Sequence, residues 1–316
     1  MRLDKKKMIA AIIVACTTLF IAIGIHEKKD TRKQLKFGAT YMTMNNPYFV
    51  NMDENIEESV QAKGDILITR DPLQDQKKQN EQIKDMINEG IDVLFLQPVD
   101  RNKVRPALEL CKKKHIPVVV IDSEVSDTEA VVSTIVSDNY DAGVQCAKDM
   151  MKKKTSANII IVNQKALNSI NERVKGFRDT IKGHPQYKIV EEKESAAEFE
   201  IAMKVMEEII YEKKNYDVVM GGNDLIALGC IAAMQMTDKT DQVMVYGVDG
   251  SPDGKAMIKA GFLEGTAAQS PIKIGEKAVQ TAYSYLAGET VKKHVTIPVE
   301  LITADNLKLY DMTGWQ

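Results

Sequence analysis

Beyond about Leu35 the chain alternates short, β-branched apolar runs with longer segments whose apolar positions recur every three or four residues. The runs at 37–41, 66–69, 93–96, 118–121, 132–136, 159–162, 189–191, 218–221, 243–248 and 264–268 are predicted strands. Several are apolar at nearly every position, as strands covered on both faces should be. Helical spacing fills the gaps, for example Ile83, Met86 and Ile87 before Gly90, a good C-terminal stop. Strand followed by helix, repeated, predicts parallel sheets with crossover helices. The rhythm runs twice, before and after about Ile135, so two Rossmann-like lobes account for it better than one very large sheet. No Pro/Gly/Ser linker marks the junction, and lobes joined by strands can hinge against each other.

Residues 8–25 break this rhythm, with no charged residue across 18 positions after Lys5, Lys6 and Lys7. At about 1.5 Å rise per residue such a helix crosses a bilayer core with slight thinning. A cleaved secretory signal competes with that reading, and Ile13-Val14-Ala15-Cys16 resembles a lipoprotein cleavage box. Because the apolar run continues past Cys16, an uncleaved anchor is the preferred expectation. Charge does not orient it, since Arg2 and Lys5 to Lys7 are matched by Lys28, Lys29, Arg32 and Lys33.

Composition removes several classes of function. With 316 residues, 44% hydrophobic and 28% charged, the chain is globular and long enough for two domains. A net charge of −3 with interspersed signs gives no footprint for nucleic acid, and Lys112 to Lys114 and Lys152 to Lys154 fall at predicted helix ends. Four scattered cysteines make neither a disulfide framework nor a zinc site, and Cys111, Cys146 and Cys230 are expected as small core residues on helices. No G-x-G-x-x-G follows a strand, and neither a Walker lysine nor a G-x-S-x-G elbow is present. His26, His115, His184 and His294 lie outside the strand-end loops, and His115 before Ile116-Pro117 reads as a turn residue. No metal, cofactor or catalytic activity is expected.

The strand ends carry planar hydrogen-bonding groups instead. Gln97, Asp122, Asn223-Asp224, Asp249 and Gln269 each follow a predicted strand. In Met42-Thr43-Met44-Asn45-Asn46-Pro47-Tyr48-Phe49, Asn46 is a candidate N-cap and Pro47 suits the first helical position. Tyr48 and Phe49 then stand at the carboxyl end of a strand, where open α/β sheets place ligands. Carboxylates and amides engage neighbouring hydroxyls while a flat aromatic covers the C–H face of a sugar ring, so the combination suits a polyol. Read singly, each polar residue could be a cap or turn former, and for Asp224 the helix N-cap is the favoured role.

Several segments together resemble the type I periplasmic binding proteins, closest to the ribose-binding and related monosaccharide branch. They include Asn45-Asn46-Pro47-Tyr48-Phe49, the stretch 90–98, Ile121-Asp122, Ser137-Asp138-Asn139, Arg173-Val174-Lys175-Gly176-Phe177, Gly222-Asn223-Asp224, the stretch 247–254 and Ala268-Gln269, and the likeness spans residues 35–306. It implies an α/β fold of two lobes with parallel central sheets joined by a three-segment hinge, crossed near 136–138, Gln269 and Pro298. Residues 1–34 would be an anchor or signal and tether, 35–136 with 269–297 the N-terminal lobe, and 137–268 with 298–316 the C-terminal lobe.

Carried over by position, Asn46, Tyr48, Phe49, Gln97, Asp122 and Ser123 would serve the ligand from the first lobe. Arg173, Asn223 and Asp249 would face them, with Gln269 near the hinge. Asp138 and Asn139 read as caps of the helix after the crossover. Relative to the ribose pattern, Met42 replaces a small polar residue, Gln97 an asparagine, Ser123 an arginine and Val248 an aromatic. A second-lobe aromatic is missing near Ala197, which Phe199 could supply if the loop shifts by two residues. A pentose other than ribose, a hexose and a cyclic polyol all stay open. The resemblance implies a ligand-binding protein, with no cofactor, on the outer face of the plasma membrane. It would deliver sugar to an ABC permease or, alternatively, act as a tethered sensor for a histidine kinase or chemoreceptor. A repressor of the related transcription-factor family is disfavoured, since no helix-turn-helix precedes Leu35.

Overall fold

Each of the ten apolar runs becomes a strand. In the computed structural model, which describes residues 32–237 and 243–316, they form β1 (Lys36–Thr40), β2 (Ile66–Arg70), β3 (Val93–Leu96), β4 (Val118–Ile121), β5 (Val131–Ser137), β6 (Ala157–Asn163), β7 (Tyr187–Glu194), β8 (Val218–Gly221), β9 (Met244–Asp249) and β10 (Gly265–Ala268). Two further strands, β11 (His294–Ile297) and β12 (Glu300–Thr303), escape the apolar pattern because they are short and half-exposed. The expected anchor at residues 8–25 lies outside the described residues. Among the described residues no helix is long and apolar enough to cross a membrane.

The strands make two six-stranded sheets, in the orders β2-β1-β3-β4-β5-β11 and β7-β6-β8-β9-β10-β12. All neighbours run parallel except β12, which is antiparallel to β10. This is the expected α/β architecture of two mostly parallel sheets. The chain leaves the first sheet after β5, returns after β10 and leaves again between β11 and β12. Parallel pairing requires crossover helices, supplied by α1 (Pro47–Gln61), α2 (Gln76–Asn88), α3 (Arg105–Lys113), α4 (Asn139–Lys153), α5 (Asn168–Ile181), α6 (Phe199–Tyr211), α7 (Asp224–Gln235), α8 (Pro252–Ala260) and α9 (Pro271–Leu286).

Local chemistry sets the helix limits. Asn46 caps α1 by accepting from the Tyr48 N–H at 3.0 Å, with Pro47 at the first position as expected. Asp75 caps α2 through Lys77 N at 2.8 Å, and Gly90 turns the chain out at φ +83°. His115, at φ +57°, occupies the turn between α3 and β4. In the first lobe Phe37 stacks on Phe95 with centroids 5.7 Å apart, and full burial of each such ring contributes about 1.5–3 kcal/mol. Cys111, Cys146 and Cys230 are buried free thiols on α3, α4 and α7, as composition predicts.

The tightest helix contact lies directly behind the strand ends of the second lobe. On α4, a Cβ at Gly143 would stand 1.8 Å from the Arg173 carbonyl oxygen, and on α5 one at Gly176 would stand 2.0 Å from that of Tyr140. Two missing side chains let α4 and α5 touch backbone to backbone, which fixes the height of Arg173 on α5. Adding a methyl at either place forces the helices apart. We expect Gly143→Ala and Gly176→Ala each to lower stability by at least about 1–3 kcal/mol in urea unfolding. Unchanged urea midpoints in both variants would contradict this packing.

Candidate functional site

Because the strands within each lobe, β12 apart, run in parallel, their carboxyl ends gather on one edge, and residues from the two edges line a common cavity. Eight of the ten predicted residues line one cavity between them: Asn46, Tyr48, Phe49 and Asp122 from the first lobe, Arg173, Asn223 and Asp249 from the second, and Gln269 at the crossing after β10. Its free interior is about 20 Å³, roughly the room of one water molecule. The lobes are clasped around it. The Arg101 N–H donates to the Ala166 carbonyl at 3.1 Å, and Asn168 Nδ2 donates to Glu124 Oε2 at 2.6 Å. Gln74 Nε2 donates to Glu198 Oε1 across the mouth.

Arg173 stands at the centre, only 3% exposed. Its Nε donates to Asn139 Oδ1 at 2.8 Å and its Nη1 to the Gly222 carbonyl at 2.9 Å, while Nη1 lies 3.9 Å from Asp249 Oδ1. Asp249 Oδ1 accepts from Gln269 Nε2 at 2.8 Å, and the Tyr48 hydroxyl donates to Gln269 Oε1 at 3.4 Å. Asp122 and Asp249 end β4 and β9 at φ +63° and +152°, in a region that side-chain-bearing residues rarely enter. Aspartate is among the few residues that tolerate it, and such strain concentrates where a side chain must be aimed.

Burial dominates the electrostatics. It pushes the Asp122 carboxyl up to about 6, with Arg173 and the Tyr48 hydroxyl pulling the other way. Asp249 is raised by burial and by neighbouring Asp224, against the opposing pull of Arg173. Asp224 is raised by burial as well. Burial, then Asp122 and Asp249, hold the Tyr48 phenol well above its ordinary value, so it stays a neutral donor.

Several side chains do other work than expected. Gln97 does not line the cavity, because its Oε1 accepts from the Met42 N–H at 2.5 Å and its amide holds the 42–46 loop in place. Ser123 is likewise outside it, since its Oγ accepts from the Ser169 N–H at 3.2 Å and bridges the lobes. Asn223 rather than Asp224 caps α7, accepting from the Ile226 N–H at 2.9 Å. Asp224 instead accepts from Thr266 Oγ1 at 2.6 Å, Ser251 Oγ at 2.7 Å and Ser251 N at 2.9 Å, bracing the loop that carries Asp249. Asp138 caps α4, but Asn139 beside it orients Arg173. Ala197 lines the cavity, and Phe199 faces the neighbouring space.

Two participants had no signal in the sequence. Trp315 packs edge-on against Tyr48 with centroids 5.5 Å apart. Its segment is held by Lys255, fully buried, whose Nζ donates to the carbonyls of Asp311 and Gly314, the latter at 2.6 Å. Both partners of Lys255 are backbone atoms, which no side-chain pattern reveals.

The periplasmic binding protein domain matches residues 37–290 of the chain. The chain is 29% identical over 263 residues to the ribose import binding protein of Escherichia coli, covering 82% of this chain and 88% of that protein. To the ribose import binding protein of Bacillus subtilis it is 27% identical over 307 residues, covering 94% and 99%. Among solved structures, an ABC transporter solute binding protein from Mycobacterium smegmatis with bound glycerol superimposes with a TM-score of 0.84 at 27% identity, covering 90% of this chain and 100% of that one. One from Bacillus halodurans with bound myo-inositol shares the fold at a TM-score of 0.82 and 23% identity, covering 88% and 97%.

The buried carboxyls make stability depend on pH in a defined direction. A carboxyl whose folded value is raised stabilises the fold fully below its unfolded value of about 4 and loses that contribution as pH rises through the folded value. For Asp122 the window runs from about 4 to about 6, and Asp249 and Asp224, also raised, add losses in the same direction. In the unliganded state the protein should unfold at higher urea at pH 5 than at pH 8. Asp122→Asn should shrink that pH 5 to pH 8 difference by on the order of 1 kcal/mol, since only the part of its window above pH 5 contributes. Parallel pH profiles for the two proteins would rule out Asp122 as a source.

Proposed function

The chain belongs to the periplasmic binding protein domain family, and from that premise we propose that it binds a monosaccharide or cyclic polyol ring between its lobes and passes it to an ABC permease. It is an extracytoplasmic binding protein and not an enzyme. The observation that carries the sugar reading is the gathering of Asp122, Asp249, Asn223 and Gln269 with the buried Arg173 guanidinium in one cavity that the paired rings of Tyr48 and Phe49 also line.

In this reading Asp122 and Asp249 accept from ring hydroxyls, Arg173 and Asn223 donate to ring oxygens, and the aromatics cover the C–H face. Residues 35–136 with 269–297 then swing against 137–268 with 298–316, and ligand contacts made by both sides hold the lobes shut. Gln97 and Ser123 would serve indirectly, one through the Met42 loop and one through the interlobe bridge. We also assign residues 8–25 as a tether to the outer face of the membrane, because no charge interrupts their apolar run. A tether confines the protein near its permease and raises effective concentration without any new contact.

The test is calorimetry on the full-length chain against pentoses, hexoses and inositols. Trp315 is the sole tryptophan and rests on Tyr48, so closure should also shift intrinsic fluorescence with the same midpoint as the heat signal. Arg173→Ala and Asp249→Ala should each weaken binding by roughly 2–5 kcal/mol, since each strands a buried partner. A panel that gives neither heat nor a fluorescence change would overturn the sugar reading. Full affinity in both variants would relocate the site.

A further inference from the structure

Beside the site, and sharing Met42, Asn46 and Ala197 with it, lies a second space of about 380 Å³ that both lobes enclose. Met42, Asn46 and Ala197 line both spaces and so form the partition between them; the unbranched Met42 side chain adapts its shape readily, and Ala197 offers only a methyl group, on backbone held at φ +54°. Beyond the partition Phe199 and Leu225 supply apolar surface, while Asn45, Glu198 and Glu200 supply hydrogen-bonding groups. Glu198 is also the residue that Gln74 reaches across the mouth, so an occupant would be covered when the lobes close.

We propose that this space is a second sugar subsite, and that the ring held by Asp122, Arg173 and Asp249 is the terminal ring of a disaccharide whose next ring lies against Phe199. The inference rests on the sugar-binding reading above. Size separates a ring from a small substituent, because 380 Å³ falls within the roughly 300–1,000 Å³ of ordinary ligand pockets and a methyl or hydroxyl would leave most of it unfilled. Chemistry separates a sugar ring from an apolar aglycone, because the aromatic wall is paired with two carboxylates and an amide that an apolar group would leave unpartnered. Charge excludes a phosphorylated sugar, since the lining holds Glu198 and Glu200 and no Lys, Arg or His. The ring-bearing residue therefore stands two positions beyond Ala197, where it serves the second ring and not the first.

The experiment compares matched pairs by calorimetry on the full-length protein: xylose with xylobiose, glucose with maltose and cellobiose, and galactose with lactose and melibiose. At least one disaccharide should bind about tenfold or more tightly than its own terminal monosaccharide. Phe199→Ala, and independently the exposed Glu200→Ala, should then cut disaccharide affinity by about tenfold while monosaccharide affinity stays within about twofold. If a monosaccharide binds and every matched disaccharide binds more weakly, or if the preference survives both substitutions, the subsite is refuted and the sugar reading stands. Silence from every pair refutes the subsite and leaves the sugar reading to the wider panel of pentoses, hexoses and inositols.

Discussion

A guanidinium taken out of water must be surrounded by acceptors in fixed positions, and Arg173 imposes that demand on the whole centre of the molecule. Its Nε takes Asn139, its Nη1 takes the Gly222 carbonyl, and Asp249 stands 3.9 Å away as countercharge. Meeting these partners requires α5 to lie at a set height against α4, which Gly143 and Gly176 permit by leaving no Cβ between the backbones. It also requires the β9 loop to stay rigid, which Asp224 secures through Ser251 and Thr266. Remove any of these supports and a buried charge loses a partner.

The same residues tie the site to the hinge. Asn139 follows the first crossing between sheets and donates from Nδ2 to the Ser137 carbonyl at 3.1 Å while its Oδ1 holds Arg173. Gln269 forms part of the second crossing and links Asp249 of one lobe to Tyr48 of the other. Polar geometry at the cavity and the angle between lobes are thus not independent variables. A ligand that repositions Arg173 or Gln269 acts directly on the segments that cross between the two sheets.

Much of this could be read from the chain because buried parallel strands leave a plain trace. Runs such as 93–96 and 118–121 are apolar at every position, and the residue that ends each one is conspicuous when polar. Asp122 and Asp249 do reach the cavity between the lobes, but the pattern cannot say which way a strand-end amide turns, and Gln97 turns back to hold the neighbouring loop at Met42. β11 and β12 gave too weak an alternation, being four residues each and largely half-exposed. The Trp315 contact with Tyr48 and the burial of Lys255 depend on backbone carbonyls brought in from the C-terminal segment, and such partners have no sequence signature. Asn139 was visible only as a helix-capping residue, because its bond to Arg173 joins positions 34 apart.

The left-handed backbone at Asp122 and Asp249 has a consequence for how this pocket can diverge. At φ +63° and +152° a β-branched or bulky residue is strained, so few replacements survive at either acceptor without rebuilding the strand end. Met42 and Phe199 stand under no such backbone restriction, and their side chains border open space. In the proposed reading, a change of ligand preference is therefore easier at the rim of the cleft, through Met42 and Phe199, than at Asp122 and Asp249 on its base.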